Sequence, residues 1–480
     1  MTRRMRKMAD IKFGTDGWRA VIANEFTFEN VSRLTQAIAD VINRRDADKK
    51  VSLVIGYDTR FMSRDFAHVI AEVLAANNIF VHMSSGVAAT PIVSYMVKHL
   101  NLSGGIVVTA SHNPSKFNGI KFKDFYGGPA HPDLTQAFEE AIDQTPIQKI
   151  GYQKAIEEGL IQESNFNDAY LEFLGTFLDL DKLRSSKWNI ALDAMYGAGL
   201  TYFEDILGPN YAGKLQTIHA DKNPSFGGVN PEPIDKNLKE LQSLCQGEFD
   251  LGLATDGDGD RIGVIDDRGT FVFSHQLIAL FILYLLESRG WSGAIAKSIS
   301  TTSLIDAIAA DKNLEVYETP IGFKYICSLM CEKDILLGGE ESGGIGFKNH
   351  VPDRDGFLAG LLLIEMMNYY QLPLSKIIEN MDSIYGHYYY DRLDVSYAIE
   401  NMDTILRRIP TLRKDFIEGQ KVVKILDKDG IKHIFEDGSW MLIRASGTEP
   451  LLRIYAESKS KDLLRRLLQH GKKISLGHSF

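Results

Sequence analysis

Asp250-Leu-Gly-Leu-Ala-Thr-Asp-Gly-Asp-Gly-Asp-Arg261 joins a short apolar run to a loop of alternating Asp and Gly. The apolar run is too short for a helix and reads as a buried strand. The loop that follows is polar, turning and unsuited to either regular element. The same unit recurs along the chain. Val51–Gly56 leads into Tyr57-Asp-Thr-Arg60, and Gly105–Thr109 into Ala110-Ser-His-Asn-Pro114. Trp188–Asp193 leads into Ala194-Met-Tyr-Gly-Ala-Gly199, while Gly293–Ile299 and Ile335–Gly338 each run into a polar or Gly-rich stretch.

Helical patterns separate these runs. Phe26–Asn43 carries Val31, Leu34, Ile38 and Val41 at spacings of three or four. Phe66–Ala76, Gln276–Glu287 and Phe357–Tyr369 read as helices, and Ile79–Met83 as a further strand. Strands alternating with helices predict α/β domains. In open α/β sheets, ligands sit beyond the carboxyl ends of the strands, so the loops above are where chemistry is expected.

The end of the chain differs. Val422–Leu426, Ile431–Phe435 and Trp440–Arg444 read as strands joined through Asp429-Gly430 and Asp437-Gly438, which favour hairpins. Leu452–Glu457 alternates apolar and polar residues, and a helix follows. The segment Ser383–Asp394 reads as the connection into this part. The reading is three similar α/β domains, 1–160, 161–268 and 269–390, plus a smaller α+β domain over 391–480.

The bulk numbers bound the function. A chain of 480 residues with 44% hydrophobic residues can build several cores. Lys plus Arg number 53 against 63 Asp plus Glu, a net charge of −10 that argues against a general nucleic-acid binder. Three cysteines do not make a disulfide framework and fit a reducing compartment. Cys327 and Cys331 lie four apart on a helical stretch and read as two buried small side chains. The basic start has no apolar run of signal length after it, and Leu277–Leu286 is too short to span a bilayer. A cytoplasmic protein is expected, with no membrane partner.

Four loops can carry chemistry. In Asp256-Gly-Asp-Gly-Asp-Arg261, glycines let three carboxylates converge, and converged carboxylates call for a hard cation such as Mg²⁺ or Ca²⁺. An EF-hand would need Gly where Arg261 stands and Glu where Asp267 stands, so that alternative fails; a solvated acidic turn is the other reading. Thr109-Ala-Ser-His-Asn-Pro114 offers a hydroxyl nucleophile at Ser111, exposed in principle. Neighbouring residues usually point in different directions, so His112 is not automatically its base. Gly338-Gly-Glu-Glu-Ser-Gly-Gly344 places carboxylates and a hydroxyl on a flexible loop suited to sugar hydroxyls. Arg444-Ala-Ser-Gly-Thr-Glu-Pro450 gathers a cation, two hydroxyls and a glycine into an anion cradle, with Arg453 nearby. A metal site, a hydroxyl, a sugar loop and a phosphate cradle are the parts of phosphoryl transfer.

These four segments, in this order, resemble the α-D-phosphohexomutase family over most of the chain. Phe13-Gly-Thr-Asp-Gly-Trp-Arg19, Gly56-Tyr-Asp-Thr-Arg60, Asn230-Pro-Glu-Pro233 and Pro320-Ile-Gly-Phe-Lys324 agree as well. The resemblance implies four domains around a central cleft and an isomerase that moves phosphate on a sugar phosphate. It implies a phosphoserine at Ser111, with Mg²⁺ held by Ser111, Asp256, Asp258 and Asp260. Arg19, His112, Lys121 and Lys324 would line the reacting site, beside Arg261. Glu340 and Ser342 would hold sugar hydroxyls, and Arg444, Ser446, Gly447 and Thr448 the non-reacting phosphate. Lys121 and His112 both stand as candidates for the acid and base. Glucose 1,6-bisphosphate would be intermediate and activator, and the chain a monomer or homodimer.

One position departs from part of the family. Some members end the sugar loop in histidine, where this chain has Gly344. The double glutamate of Gly-Glu-Glu-Ser is similar to members acting on glucose phosphates, so glucose is expected over mannose or glucosamine phosphates. A glucose 1,6-bisphosphate synthase would use the same residues. A non-catalytic phosphosugar sensor is disfavoured by the intact Ser111 and three aspartates.

Overall fold

The computed structural model describes residues 11–14, 16–397, 402–445 and 451–475. The described residues form four sheets. The chain divides into two compact units. The first runs to Phe273 and includes Gly343–Ser375, and the second holds Ser274–Ser342 and everything from Lys376 onward.

The first unit carries two mixed sheets. In one, the order is Trp18–Val21, Phe117–Asp124, Gly104–Val108, Ser52–Tyr57, Phe80–Ser84, Ile161–Ser164. The last four strands are parallel, while Phe117–Asp124 runs antiparallel to both of its neighbours. The chain leaves Ser52–Tyr57 on one side and returns on the other. The topological switch therefore opens between the ends of Ser52–Tyr57 and Gly104–Val108, where a ligand crevice belongs. The first helix is Phe28–Arg45 rather than 26–43, because the Thr27 side chain accepts the Asn30 N–H and caps it. Its Val31, Leu34, Ile38 and Ile42 are fully buried on the sheet, each contributing about 1.5–3 kcal/mol.

The second sheet repeats the plan, in the order Phe271–Val272, Ile262–Ile265, Leu251–Thr255, Ile190–Asp193, Leu215–Ile218. Its switch opens beyond Ile190–Asp193 and Leu251–Thr255, which are parallel. The segment Gly343–Ser375 joins this unit because the helix Gly356–Tyr370 is apolar nearly all round and must be buried. Its Phe357 packs on Tyr202 and Phe203.

In the second unit, Ala294–Ser298 lies between the parallel strands Val316–Thr319 and Ile335–Gly339. The last sheet is antiparallel: Tyr389–Ser396, Leu451–Ser458, Trp440–Ala445, Ile431–Phe435, Gln420–Leu426 and Phe416–Ile417. The helix Lys461–Ser475 buries Leu463, Leu464, Leu467 and Ile474 in the core of this sheet.

The structure departs from the sequence expectation at Ser383–Asp394 and at Cys331. The stretch expected as a connection, Ser383–Asp394, instead ends the helix Leu374–Tyr385 and forms most of the strand Tyr389–Ser396. As an edge strand it leaves Asp391, Arg392 and Asp394 at or near the surface, which hides its period-two pattern. Cys331 is exposed, whereas Cys327 is buried, because the helix Phe323–Glu332 emerges from the sheet over its last turn. No described helix is long and apolar enough to cross a membrane.

Candidate active site

Ser111 follows the fully buried strand Gly104–Val108 at its carboxyl end. Its φ is +50°, left-handed for a residue with a Cβ, a conformation costing roughly 1–2 kcal/mol. A polar frame holds it there. The Ser111 N–H donates to Thr109 Oγ1 (2.8 Å), and Thr109 Oγ1 donates to Asp58 Oδ2 (2.6 Å). Arg60, paired with Asp58 at 3.1 Å, donates to the carbonyls of Ser111, Asn113, Pro114 and Phe117. One guanidinium thus straps down the whole loop.

The left-handed turn decides where the hydroxyl points. Ser111 Oγ donates to Asp256 Oδ2 at 2.9 Å and lies 3.3 Å from His112 Nδ1. Chain adjacency is no reason for His112 to meet Ser111, and the unusual backbone brings it there. Ser111 is also buried rather than exposed. Burial, then Arg261 and Arg19, press the His112 pKa well below its ordinary value and keep the ring neutral.

Asp256, Asp258 and Asp260 are wholly buried, and one oxygen from each lies within 4.8 Å of the others. Asp256 Oδ1 accepts the N–H groups of Asp260 (3.0 Å) and Arg261 (3.2 Å), curling the loop on itself. Asp258 accepts from Thr90 Oγ1 at 2.5 Å. The two glycines are required. A Cβ at Gly257 would press into the Ser111 carbonyl, and Gly259, at φ +77°, has Phe357 at 3.0 Å from where a Cβ would stand.

Charge in the site is balanced by Arg261 of the same loop and by cations brought from distant segments. Lys121 Nζ lies 2.7 Å from Asp16, 2.8 Å from Asp258 and 2.7 Å from Asp260. Arg354 lies 2.6 Å from both Asp16 and Asp260. Arg261 stands 3.9 Å from Asp256, and Arg19 donates to Asn113 at 2.6 Å. Burial alone would raise every carboxyl pKa here, and for Asp256 it does, helped by Asp258 and Asp260. At Asp258 the Lys121 ammonium overcomes burial and holds the pKa below normal. The same is true of Asp16. Burial opposes the Lys121 charge, but Asp16, Asp258 and Asp260 outweigh it and raise its pKa.

A cation fits this donor set. Asp258 Oδ1 and Asp260 Oδ1 are buried acceptors without a hydrogen-bond partner, a costly arrangement that a hard divalent ion would relieve. A divalent ion at one hundred times its dissociation constant is expected to raise the unfolding free energy by about 2.7 kcal/mol. Thermal melts with and without MgCl₂ measure this, and an unchanged melting temperature would count against the site. Asp258→Asn should abolish most of the shift.

Asp16, Asp58, Arg60 and Arg354 were not singled out from sequence. The first three lie inside the Phe13–Arg19 and Gly56–Arg60 motifs, the signal that the sequence carries for them. Arg354 had none. Its loop is pinned by its neighbours: Asp353 accepts Lys123 Nζ (2.5 Å) and Ser94 Oγ (2.7 Å), and Asp355 caps the next helix at the Leu358 N–H (2.9 Å). Arg354 also explains Gly344, because its Cδ fills the space a Cβ there would need.

The second unit carries the other expected residues. Glu340 is buried, and its Oε1 accepts the Gly322 N–H at 2.8 Å, tying the loop expected to read the sugar to Pro320–Lys324. Lys324 Nζ lies 5.4 Å over the Tyr325 ring, and Ser342 is half-buried. Arg444 Nε donates to Asp429 Oδ1 at 2.7 Å. Ser446, Gly447 and Thr448 lie outside the described residues.

Comparison with known proteins identifies the family of the chain. Models of the phosphoglucomutase/phosphomannomutase α/β/α domains I, II and III match residues 10–148, 168–269 and 273–384, and the C-terminal domain model matches 400–470. A phosphoglucomutase/phosphomannomutase of Thermococcus kodakarensis is 29% identical over 466 residues, covering 96% of this chain and 98% of that protein. A phosphoglucosamine/phosphogalactosamine mutase of Sulfurisphaera tokodaii is 27% identical, covering 97% and 99%. The crystal structure of a provisionally named phosphomannomutase from Thermus thermophilus superposes with a TM-score of 0.85 at 34% identity, covering 98% of this chain and all of that one. With all four domains matched in order, the chain belongs to the phosphoglucomutase/phosphomannomutase family and is an intramolecular phosphotransferase of the isomerase class.

Proposed function

We propose that the protein interconverts glucose 1-phosphate and glucose 6-phosphate through a phosphoserine at Ser111 and a glucose 1,6-bisphosphate intermediate. The observation that carries this reading is the left-handed Ser111, whose hydroxyl is aimed at Asp256 and flanked by His112 within a ring of buried cations.

In the forward half-reaction the phosphorus–Oγ bond of phosphoserine breaks and a bond to a sugar hydroxyl oxygen forms. Arg19, Lys121 and Arg261 lie around Ser111 and the aspartate loop, where they can neutralise the transferring group. Asp256, Asp258 and Asp260 would hold Mg²⁺, which would supply further neutralisation of that charge. The proton leaving the sugar hydroxyl and the proton returned to Ser111 Oγ need a base and an acid within hydrogen-bond reach. His112 Nδ1 is within reach of Oγ, whereas Lys121 Nζ is engaged by three carboxylates. We therefore assign proton exchange at Oγ to His112, and charge stabilisation to Lys121. Glu340 and Ser342 read the sugar hydroxyls, beside Lys324. Arg444, Ser446, Gly447 and Thr448 grip the phosphate that stays. The bisphosphate turns round, and its second phosphate returns to Ser111.

The preference for glucose rests on Gly-Glu-Glu-Ser and on Gly344, whose space Arg354 occupies. We expect kcat/KM for glucose 1-phosphate to exceed that for mannose 1-phosphate and glucosamine 1-phosphate by about tenfold or more, the order of discrimination a few hydroxyl contacts supply. Coupled assays on the three sugars measure it, and equal values would remove the glucose assignment. Accumulation of glucose 1,6-bisphosphate in place of glucose 6-phosphate would favour a synthase. Mg²⁺ as metal and the cytoplasm as location belong to the same reading.

A further inference from the structure

We propose that Asp429 is a positioning residue for phosphate recognition, orienting Arg444 and tying it to the loop that Glu340 orders. The inference rests on the roles proposed above for Arg444 and Glu340.

The geometry begins with a strand register. Ile431 pairs with Ile443 across the antiparallel strands Ile431–Phe435 and Trp440–Ala445. That register sets the Asp429-Gly430 turn directly beside Arg444. The packing is close: Gly430 has φ +86°, and a Cβ there would stand 3.0 Å from Arg444 Cα and press into the Ile443 carbonyl. Only glycine fits, so the turn is held in place by the backbone and carries Asp429 with it.

Both oxygens of Asp429 are then used in different directions. Oδ1 accepts Arg444 Nε at 2.7 Å, and Oδ2 accepts the Ile321 N–H at 3.0 Å. The next N–H along, that of Gly322, is the one held by Glu340 Oε1 at 2.8 Å. Two carboxylates, one on the turn of the last sheet and one on the sugar loop, thus clamp successive backbone donors of one segment. An arginine fixed at Nε has the plane of its guanidinium set, which matters for a group that binds phosphate as a planar fork. Neighbouring contacts hold the two sheets of this unit together around the tie. Lys432 Nζ donates to the Ile299 carbonyl at 2.6 Å, and Trp440, Leu442 and Tyr455 share an apolar cluster with Ile299. Asp429 is the polar member of this junction that touches Arg444.

The consequence is that the grip on the non-reacting phosphate and the reading of the sugar are set as one unit. Loss of Asp429 should weaken ground-state and transition-state binding alike, which raises KM and spares kcat. The test is steady-state kinetics with MgCl₂ on whichever of glucose 1-phosphate and mannose 1-phosphate the wild-type protein turns over faster. Asp429→Ala is expected to raise KM about tenfold with kcat within about threefold. Asp429→Asn, which keeps one acceptor oxygen, should fall between. Asp429 is partly exposed, so both variants should fold, and melting curves check this.

Arg444→Ala and the double variant separate the outcomes. If Asp429 acts through Arg444, Asp429→Ala adds less than about twofold to KM in the Arg444→Ala background. An unchanged KM in Asp429→Ala while Arg444→Ala raises it, or effects that multiply in the double variant, would overturn the inference alone. An unchanged KM in Arg444→Ala would instead overturn the phosphate role of Arg444 on which it stands.

Discussion

Ser111→Ala is expected to lower turnover of glucose 1-phosphate by about 10⁴-fold or more, equivalent to about 5.5 kcal/mol of barrier. The size follows from what the hydroxyl does. It is the proposed covalent carrier, and no other described side chain shares its position between Asp256 and His112. The cations and carboxylates that remain would still bind a sugar phosphate but would have no oxygen to exchange. The substitution removes one hydroxyl from a loop that Arg60 and Thr109 hold by backbone contacts. The fold should therefore survive, and melting temperature should change little. Intact mass should show a phosphoryl adduct on wild-type protein incubated with glucose 1,6-bisphosphate and none on the variant. Retained activity would defeat the phosphoserine mechanism.

Lys121→Met should be the most destabilising single change in the site. Its ammonium is the shared partner of Asp16, Asp258 and Asp260, all of them buried or nearly so. Removing one partner of a buried ionic group leaves uncompensated charge, typically worth about 3–5 kcal/mol. Methionine matches the length of the stem, so packing is mostly kept and the loss reports charge. Chemical denaturation should show a lower midpoint with little change in slope. A divalent cation should restore part of the loss, because it neutralises the same carboxylates. Activity should fall as well under the proposed mechanism, in which Lys121 stabilises charge on the transferring group. An unchanged midpoint would mean that Arg354, 2.6 Å from Asp16 and Asp260, suffices alone.

The two variants differ in what they probe. Ser111 tests a role that the sequence already indicated. Lys121 tests an electrostatic arrangement visible only in three dimensions, where a strand residue, an N-terminal turn and a distant Asp/Gly loop converge. The role of Arg354 is of the second kind too. It lies 94 residues beyond Asp260 in sequence, in a stretch with no separate motif.

Much of the architecture could be read directly from the chain. Apolar runs such as Gly104–Val108 and Leu251–Thr255 are strands because they are short, buried on both faces and closed by turning loops. The tri-aspartate loop identified itself, since only glycines let consecutive carboxylates converge, and the three aspartates do meet. What the chain concealed was of two kinds. Tyr389–Ser396 is an edge strand, and half-exposed edges lack the alternation that marks a strand. His112 lies beside Ser111 only because φ at Ser111 is +50°, a backbone state that the serine itself disfavours and that Arg60 and Asp58 enforce. Local sequence therefore determined the elements, the position of the candidate hydroxyl and the convergent tri-aspartate loop, because those depend on periodicity and on residues close together in the chain. Tertiary structure alone decided how the charges are paired and that the His112 ring meets the Ser111 hydroxyl, because buried ion pairs and strained backbone are set by contacts between segments far apart in sequence.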